Sequence, residues 1–303
     1  MKNDMLTDDQ AALAALVTPC GIAGSGRVRY GAAMYFNRKG ELSDQALEVY
    51  RILSPRDGED PAALLKARHL GREVADKAAL PPTALIRGLI DEIDLYLTDL
   101  PGPGIAEVRQ GLTKWRMGPV TCAQAPANPV VQRWLGEALA AVDPGHSGLA
   151  KAIALAEPHL NWVTFDGYPL KAVGAEFARG HAFVSLVGED GALPARDWEM
   201  GLFLIAPDIL YRDHRHPAPE LYAPLTGPHG WRFGPDAPLR ILPAHRPVWN
   251  PPNRPHLTKV GPVPFLALFA WTRDVNAGAS IVPAADWPEL ERLRLTGDGR
   301  IVG

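Results

Sequence analysis

The segment YRDHRHPAPELYAPLTG, Tyr211 to Gly227, holds two histidines one residue apart, His214 and His216, followed by Glu220, Tyr222 and a closing glycine. Side chains alternate faces along a strand, so a strand through ILYRDHRH puts both imidazoles on one side. The same alternation sends Tyr211 to the opposite side unless a bulge intervenes. The turn Pro217-Ala218-Pro219 then reverses the chain, and alternation on the return strand gives Glu220 and Tyr222 a common face. Two imidazoles and a carboxylate converging in this way form most of a site for a divalent transition metal. A fourth ligand has to come from elsewhere, and His229, His245 and His256 follow downstream. Of these, His256 lies in PPNRPHLTK, three positions after Asn253, a residue type that tolerates positive φ.

The rest of the chain sets the frame for that segment. It has 303 residues, 47% of them hydrophobic, enough for one large domain or two small ones. A net charge of -3 and a pI near 6.3 give no basic excess that would call for nucleic acid or an anionic membrane. Cys20 and Cys122 form no CxxC, so neither a disulfide framework nor a cysteine zinc site is expected. The polar start MKNDMLTDDQ is followed by no apolar signal region, and no run approaches the ~20 apolar residues of a membrane span. The expectation is a soluble, cytoplasmic protein that acts on a small molecule.

Two patterns divide the sequence. The first is helical. In PPTALIRGLIDEIDLYLTDLPGPG, Leu85, Leu89, Ile93 and Leu97 recur every four residues, with Thr83 as an expected cap and Pro101-Gly102 as the stop. ELSDQALEVYRIL has Ser43 as its N-cap, and PAALLKARHLGREVADKA and PVVQRWLGEALAAVD each open on a proline. GIAGSG, Gly21 to Gly26, has the wrong spacing for a dinucleotide fingerprint and reads as a loop. Near His159 the pattern changes. HAFVSLVG, GLFLIAP, GWRFGP, LRILPA and VPFLALFAWT are short apolar runs bounded by Gly, Pro or Asp, and prolines crowd the intervening turns. These runs predict an antiparallel sandwich or barrel. The predicted organisation is α+β: a helical N-terminal region over residues 1–155, serving as scaffold or homodimer interface, and a β-barrel over residues 156–303 that carries the metal site.

The histidine spacing resembles the cupin family. In the first cupin motif, G(X)5HXH(X)3-4E(X)6G, His214, His216, Glu220 and Gly227 satisfy every interval after the first glycine, whose place is held by Asp208. In the second, G(X)5PXG(X)2H(X)3N, Pro251, Asn253 and His256 match with Asn for Gly, and Val260 replaces the final asparagine. The tyrosines narrow the resemblance. Tyr211, His214, His216, Glu220 and Tyr222, followed by LTGPHGWRF and VPFLALFAW, look like the cupin-type dimethylsulfoniopropionate lyases over residues 160 to 280. The resemblance implies a double-stranded β-helix that holds one divalent transition metal ion (Zn, Fe, Mn, Ni or Co). By it, His214, His216, Glu220 and His256 become the metal ligands, Tyr222 the base, and Tyr211 a second active-site tyrosine.

The residue types suit that chemistry. A metal at a carboxylate stabilises negative charge developing next to it, and a phenol beside a dication is favoured as the anion. The leaving group is a sulfonium, and aromatic faces attract such a cation. Trp231, Phe233, Trp249 and Trp271 are available, with Trp231 and Trp271 as the expected substrate contacts. Lys171 is a candidate partner for the substrate carboxylate. Two other readings use the same ligand set: a cupin dioxygenase, which needs no tyrosine base, and a metal-stabilised binding protein.

Overall fold

The computed structural model describes residues 8–70, 80–123, 125–165 and 169–302. The chain divides into two compact units, Met1–Ala84 and Leu85–Gly303.

The first unit contains α1 (Asp8–Leu16), α2 (Ser25–Arg38), α3 (Asp44–Leu53) and α4 (Pro61–Ala67). Ser43 caps α3 as predicted, its hydroxyl accepting from the Ala46 N–H at 3.2 Å. Asp60 caps α4, with Pro61 in its first turn. The end of the run that opens α4, residues 71–78, lies outside the described residues. GIAGSG is a loop that leads into α2. The Asp57 carboxylate accepts the N–H groups of Gly24 and Gly26, each at 2.8 Å, which occupies the donors a phosphate would need. Phe36, Val49, Tyr50 and Leu53 form the core of this unit.

Helix α5 (Pro82–Thr98) begins just before the boundary and lies mostly in the second unit, which continues with α6 (Ile105–Trp115), α7 (Pro129–Ala140) and α8 (Ser147–Ala156), then two short helices, α9 (Leu170–Val173) and α10 (Ala175–Gly180). Pro82, not Thr83, opens α5, so Thr83 lies inside the first turn and does not cap it. Among the described residues thirteen strands follow, beginning at His181. Those that matter here are β1 (His181–Gly188), β3 (Glu199–Ile205), β4 (Leu210–Arg215), β5 (Glu220–Pro224), β6 (His229–Arg232), β7 (Arg240–Leu242), β8 (Val248–Asn250), β9 (His256–Val260) and β10 (Phe265–Trp271). One sheet runs in the order β2-β1-β3-β10-β5-β8, where β2 is Leu193–Pro194. The second large sheet runs β11-β4-β9-β6-β7, where β11 is Ser280–Ile281. Apart from the short β1–β2 contact the pairings are antiparallel, and the two sheets form a cupin barrel. No described helix is long and apolar enough to cross a membrane.

Alternation sorts the first sheet into two faces. Val184 and Leu186 on β1, Met200, Leu202 and Leu204 on β3, Leu221 and Ala223 on β5, and Leu266 and Leu268 on β10 pack with Ile86, Leu89, Ile93, Leu112 and Leu135 of the helices in one core. Their neighbours Phe203, Tyr222, Phe265 and Phe269 point inward into a second core, with Phe183 and Trp271 against it. Burial on both faces explains why these strands read as nearly continuous apolar runs. It also explains why helices α5 to α8 belong to the same compact unit as the strands. The unit boundary at Ala84 therefore lies well before the point where helices give way to strands.

Three residues at motif-glycine positions, Asp208, His245 and Asn253, have φ of 63°, 60° and 60°. The backbone keeps the left-handed turn that glycine usually supplies, using residue types that visit it more readily than most. Gly227 is different: a Cβ there would lie 2.5 Å from the Ala244 nitrogen, so its place admits no side chain.

Candidate metal centre

His214 lies on β4 and His216 just beyond its end, and His256 opens β9 directly across from His214. The three side chains are 2%, 3% and 1% exposed, and each offers a ring nitrogen within 4.8 Å of the other two. Each ring is fixed from behind by a backbone carbonyl. His214 Nδ1 lies 2.9 Å from the Arg212 oxygen, His216 Nδ1 2.7 Å from that of Ala218, and His256 Nδ1 3.0 Å from that of Arg254. A carbonyl can only accept, so Nδ1 carries the proton in all three rings and the Nε2 lone pairs are left for a ligand. Asn253, at the left-handed turn, donates its N–H to the His216 carbonyl at 2.8 Å and ties the two ligand-bearing loops together.

Glu220 completes the set. Its Oε2 lies 3.2 Å from both His216 Nε2 and His256 Nε2. A lone pair facing a carboxylate oxygen at that distance needs positive charge between them, either a proton or a metal ion. Glu220 stands directly across from Trp271 on one side and Asn250 on the other. Both orient it: the Trp271 indole N–H donates to Oε1 at 2.7 Å and the Asn250 amide to Oε2 at 3.3 Å. Burial alone would raise the Glu220 carboxyl, but His216 and His256 beside it hold it well below the usual carboxylate range. Burial also opposes charge on His216, yet the adjacent Glu220 raises it overall. His214 is pushed well below its ordinary value by burial and by its two neighbouring imidazoles, and so stands neutral. Three imidazoles and a carboxylate with converging ligand atoms suit a divalent transition metal.

Tyr211 departs from simple alternation because a bulge intervenes. Two steps on β9, from Thr258 to His256, are matched by three on β4, from Tyr211 to His214. The extra residue brings Tyr211 onto the His214 side, where the rings stack at 4.0 Å and 22°. The stack continues through Phe177 (4.0 Å) to His181 (4.2 Å). Between the two, Asp213 turns to the other face, where buried Arg232 and Trp287 bind its carboxylate and anchor β4.

A cavity of about 680 Å³ opens onto this centre. His214, His216, Glu220, Tyr222, Tyr211 and Trp271 line it. Tyr222 is 5% exposed, on the same face of β5 as Glu220 and flanked across the sheet by Phe269 and Val248. Trp231, expected at the substrate, does not line the cavity. It is fully buried beneath Tyr222, at 5.2 Å between rings, and its N–H is committed to His229 Nδ1 at 2.8 Å. Lys171 lies on α9 with an exposed side chain, also away from the cavity lining. Sequence reasoning missed Asn250, Glu199 and the wall formed by Phe177, Phe183, Phe203 and Phe269. Alternation in VWN would have pointed to Asn250 only once its register against Glu220 was known.

Replacing Trp271 by Phe keeps a ring to stack on His216 and deletes the donor to Glu220. Loss of such a supporting bond is expected to weaken metal binding by about 10–100-fold. Competition against a chromophoric chelator checks this, and unchanged affinity would show that Asn250 alone suffices to orient the carboxylate.

The barrel has the cupin fold, and its three histidines are placed so that they could hold a metal ion. The dimethylsulfoniopropionate lyase family profile matches residues 110–267, more than half of the chain. The chain belongs to the dimethylsulfoniopropionate lyase family. It is 30% identical over 129 residues to the dimethylsulfoniopropionate lyase DddQ of Ruegeria pomeroyi, a match that spans 43% of this chain and 60% of that protein. Among solved structures, a chain from the DMSP lyases RdDddP and RnDddQII is matched over 67% of this chain and its own entire length, with a TM-score of 0.53 and 20% identity. The crystal structure of DddQ from Ruegeria pomeroyi is matched over 66% of this chain and 96% of its own, with a TM-score of 0.49 and 24% identity.

Proposed function

We propose that the protein is a metal-dependent carbon–sulfur lyase that cleaves dimethylsulfoniopropionate to dimethyl sulfide and acrylate, with Tyr222 as the base. The observation that carries this reading is the shared face of β5: Glu220 and Tyr222, two residues apart, line one cavity together with His214 and His216. In this reading His214, His216, Glu220 and His256 hold one divalent ion. When bound, that ion supplies Lewis acidity at the substrate carboxylate. The Tyr222 oxygen, as the anion, takes the proton from the carbon next to the carboxylate. The released C–H electron pair becomes the carbon–carbon double bond, and the bond from the β-carbon to sulfur breaks. Sulfur leaves with that bond's electron pair as dimethyl sulfide, acrylate remains, and the proton resides on Tyr222. Tyr211, stacked on His214, is placed to orient the substrate. The strands after residue 156 carry this chemistry, in a cytoplasmic enzyme, and the helices before them serve as scaffold or homodimer interface.

The test is product analysis. Purified protein loaded with Zn, Fe, Mn, Ni or Co, incubated with dimethylsulfoniopropionate, should release dimethyl sulfide to the headspace and acrylate to solution in equal amounts. Consumption of oxygen without dimethyl sulfide would instead indicate a dioxygenase.

A further inference from the structure

The metal ligands account for only one end of the cavity. Along the row of directly opposed residues that contains Glu220 and Trp271, the next position is Glu199 on β3. Its Cα is therefore two strand spacings from that of Glu220, about 10 Å. Glu199 lines the same cavity and is held there by the Ser185 hydroxyl, which donates to Oε1. Among the described residues no lysine or arginine pairs with it. Nor does the described cavity lining contain any lysine or arginine: its charged groups are Glu189, Asp190, Glu199 and Glu220, besides the histidines. Phe183, Phe269 and Trp271 stand beside this end, the first two edge to face at 6.2 Å.

A half-buried carboxylate without a cation, next to aromatic faces, attracts positive charge of a particular kind. An ammonium or guanidinium brings N–H donors that need partners. A sulfonium or quaternary ammonium has none, and is recognised by charge and by ring faces. We infer that Glu199 is a specificity-determining residue that receives the onium end of a zwitterionic acyl substrate whose carboxylate lies at the histidine centre. This rests on the proposed function for the carboxylate end and adds the residue that selects the other. Burial raises the Glu199 carboxyl, and an onium placed beside it offsets that effect.

The test compares two ligands of the same shape. Dimethylsulfoniopropionate and 4-methylpentanoate differ in that a dimethylsulfonium replaces a neutral isopropyl group, so the ratio of their dissociation constants isolates the charge. Glu199→Gln retains an acceptor for Ser185 and removes the charge. Binding of both ligands is measured by calorimetry on metal-loaded protein carrying Tyr222→Phe to suppress turnover, with Glu199 either wild type or replaced, and metal content and circular dichroism are the controls on folding. Glu199→Asp, which restores the charge one methylene shorter, serves as the second variant. Protein with Glu199 intact should prefer the sulfonium, and Glu199→Gln should reduce that preference by at least about tenfold, with Glu199→Asp recovering part of it. An unchanged ratio in Glu199→Gln, or protein with Glu199 intact that binds the two ligands equally or not at all, overturns the assignment. Binding with the predicted ratio but no release of dimethyl sulfide by metal-loaded protein with Tyr222 intact would leave Glu199 as the onium site and reject the lyase reading instead.

Discussion

Tyr222→Phe is expected to lose about 10²–10⁴ in kcat, the contribution typical of a positioned general base, while retaining metal and fold. Phenylalanine keeps the ring between Phe269 and Val248 and above Trp231, so the packing that places it is preserved. Only the hydroxyl is removed. KM should change little, because the carboxylate end of the substrate is held by other residues. Tyr211→Phe keeps the stack on Phe177 and His214 and should cost less if its hydroxyl only orients the substrate. Near wild-type turnover in Tyr222→Phe with full metal content would move the base elsewhere, with Tyr211 the next candidate in the cavity.

Loss of a ligand should have the second large effect. His216→Ala and Glu220→Ala each remove a donor from a buried set that is committed to its neighbours. The expected loss of affinity exceeds the roughly 10–100-fold assigned to a supporting residue, so dialysed protein should contain little metal by elemental analysis. The helices of residues 8–67 have their own core and should keep their circular dichroism signal. Full metal retention in both variants would contradict the ligand assignment.

The part of the site carried by local spacing was legible in the sequence. Alternation was enough to put Glu220 and Tyr222 on one face, and the tolerance of Asn for positive φ was enough to mark the turn before His256. What alternation alone could not supply was the count of residues between Tyr211 and His214 relative to their partner strand. A one-residue bulge reverses the side on which Tyr211 lies, and it is a property of the β4–β9 pair. Trp231 shows the opposite difficulty. Its residue type suits a cation, but its place on β6, beneath Tyr222, puts it in the core. Glu199 and Asn250 became visible only through register, since they meet Trp271 and Glu220 across strands far apart in the chain. Helical periodicity located α5, but its start was misplaced by two residues because proline in the first turn needs no side-chain cap.

The most direct test of metal-dependent elimination at this centre is a metal titration followed by product release. Protein stripped with a chelator is given back a divalent transition metal in steps, and dimethyl sulfide is measured after each addition of dimethylsulfoniopropionate. The predicted result is a rate near zero without metal, rising linearly and breaking at one ion per chain, with no such rise in His216→Ala. A rate independent of added metal, or a fully loaded protein that binds dimethylsulfoniopropionate and releases no dimethyl sulfide, would contradict it.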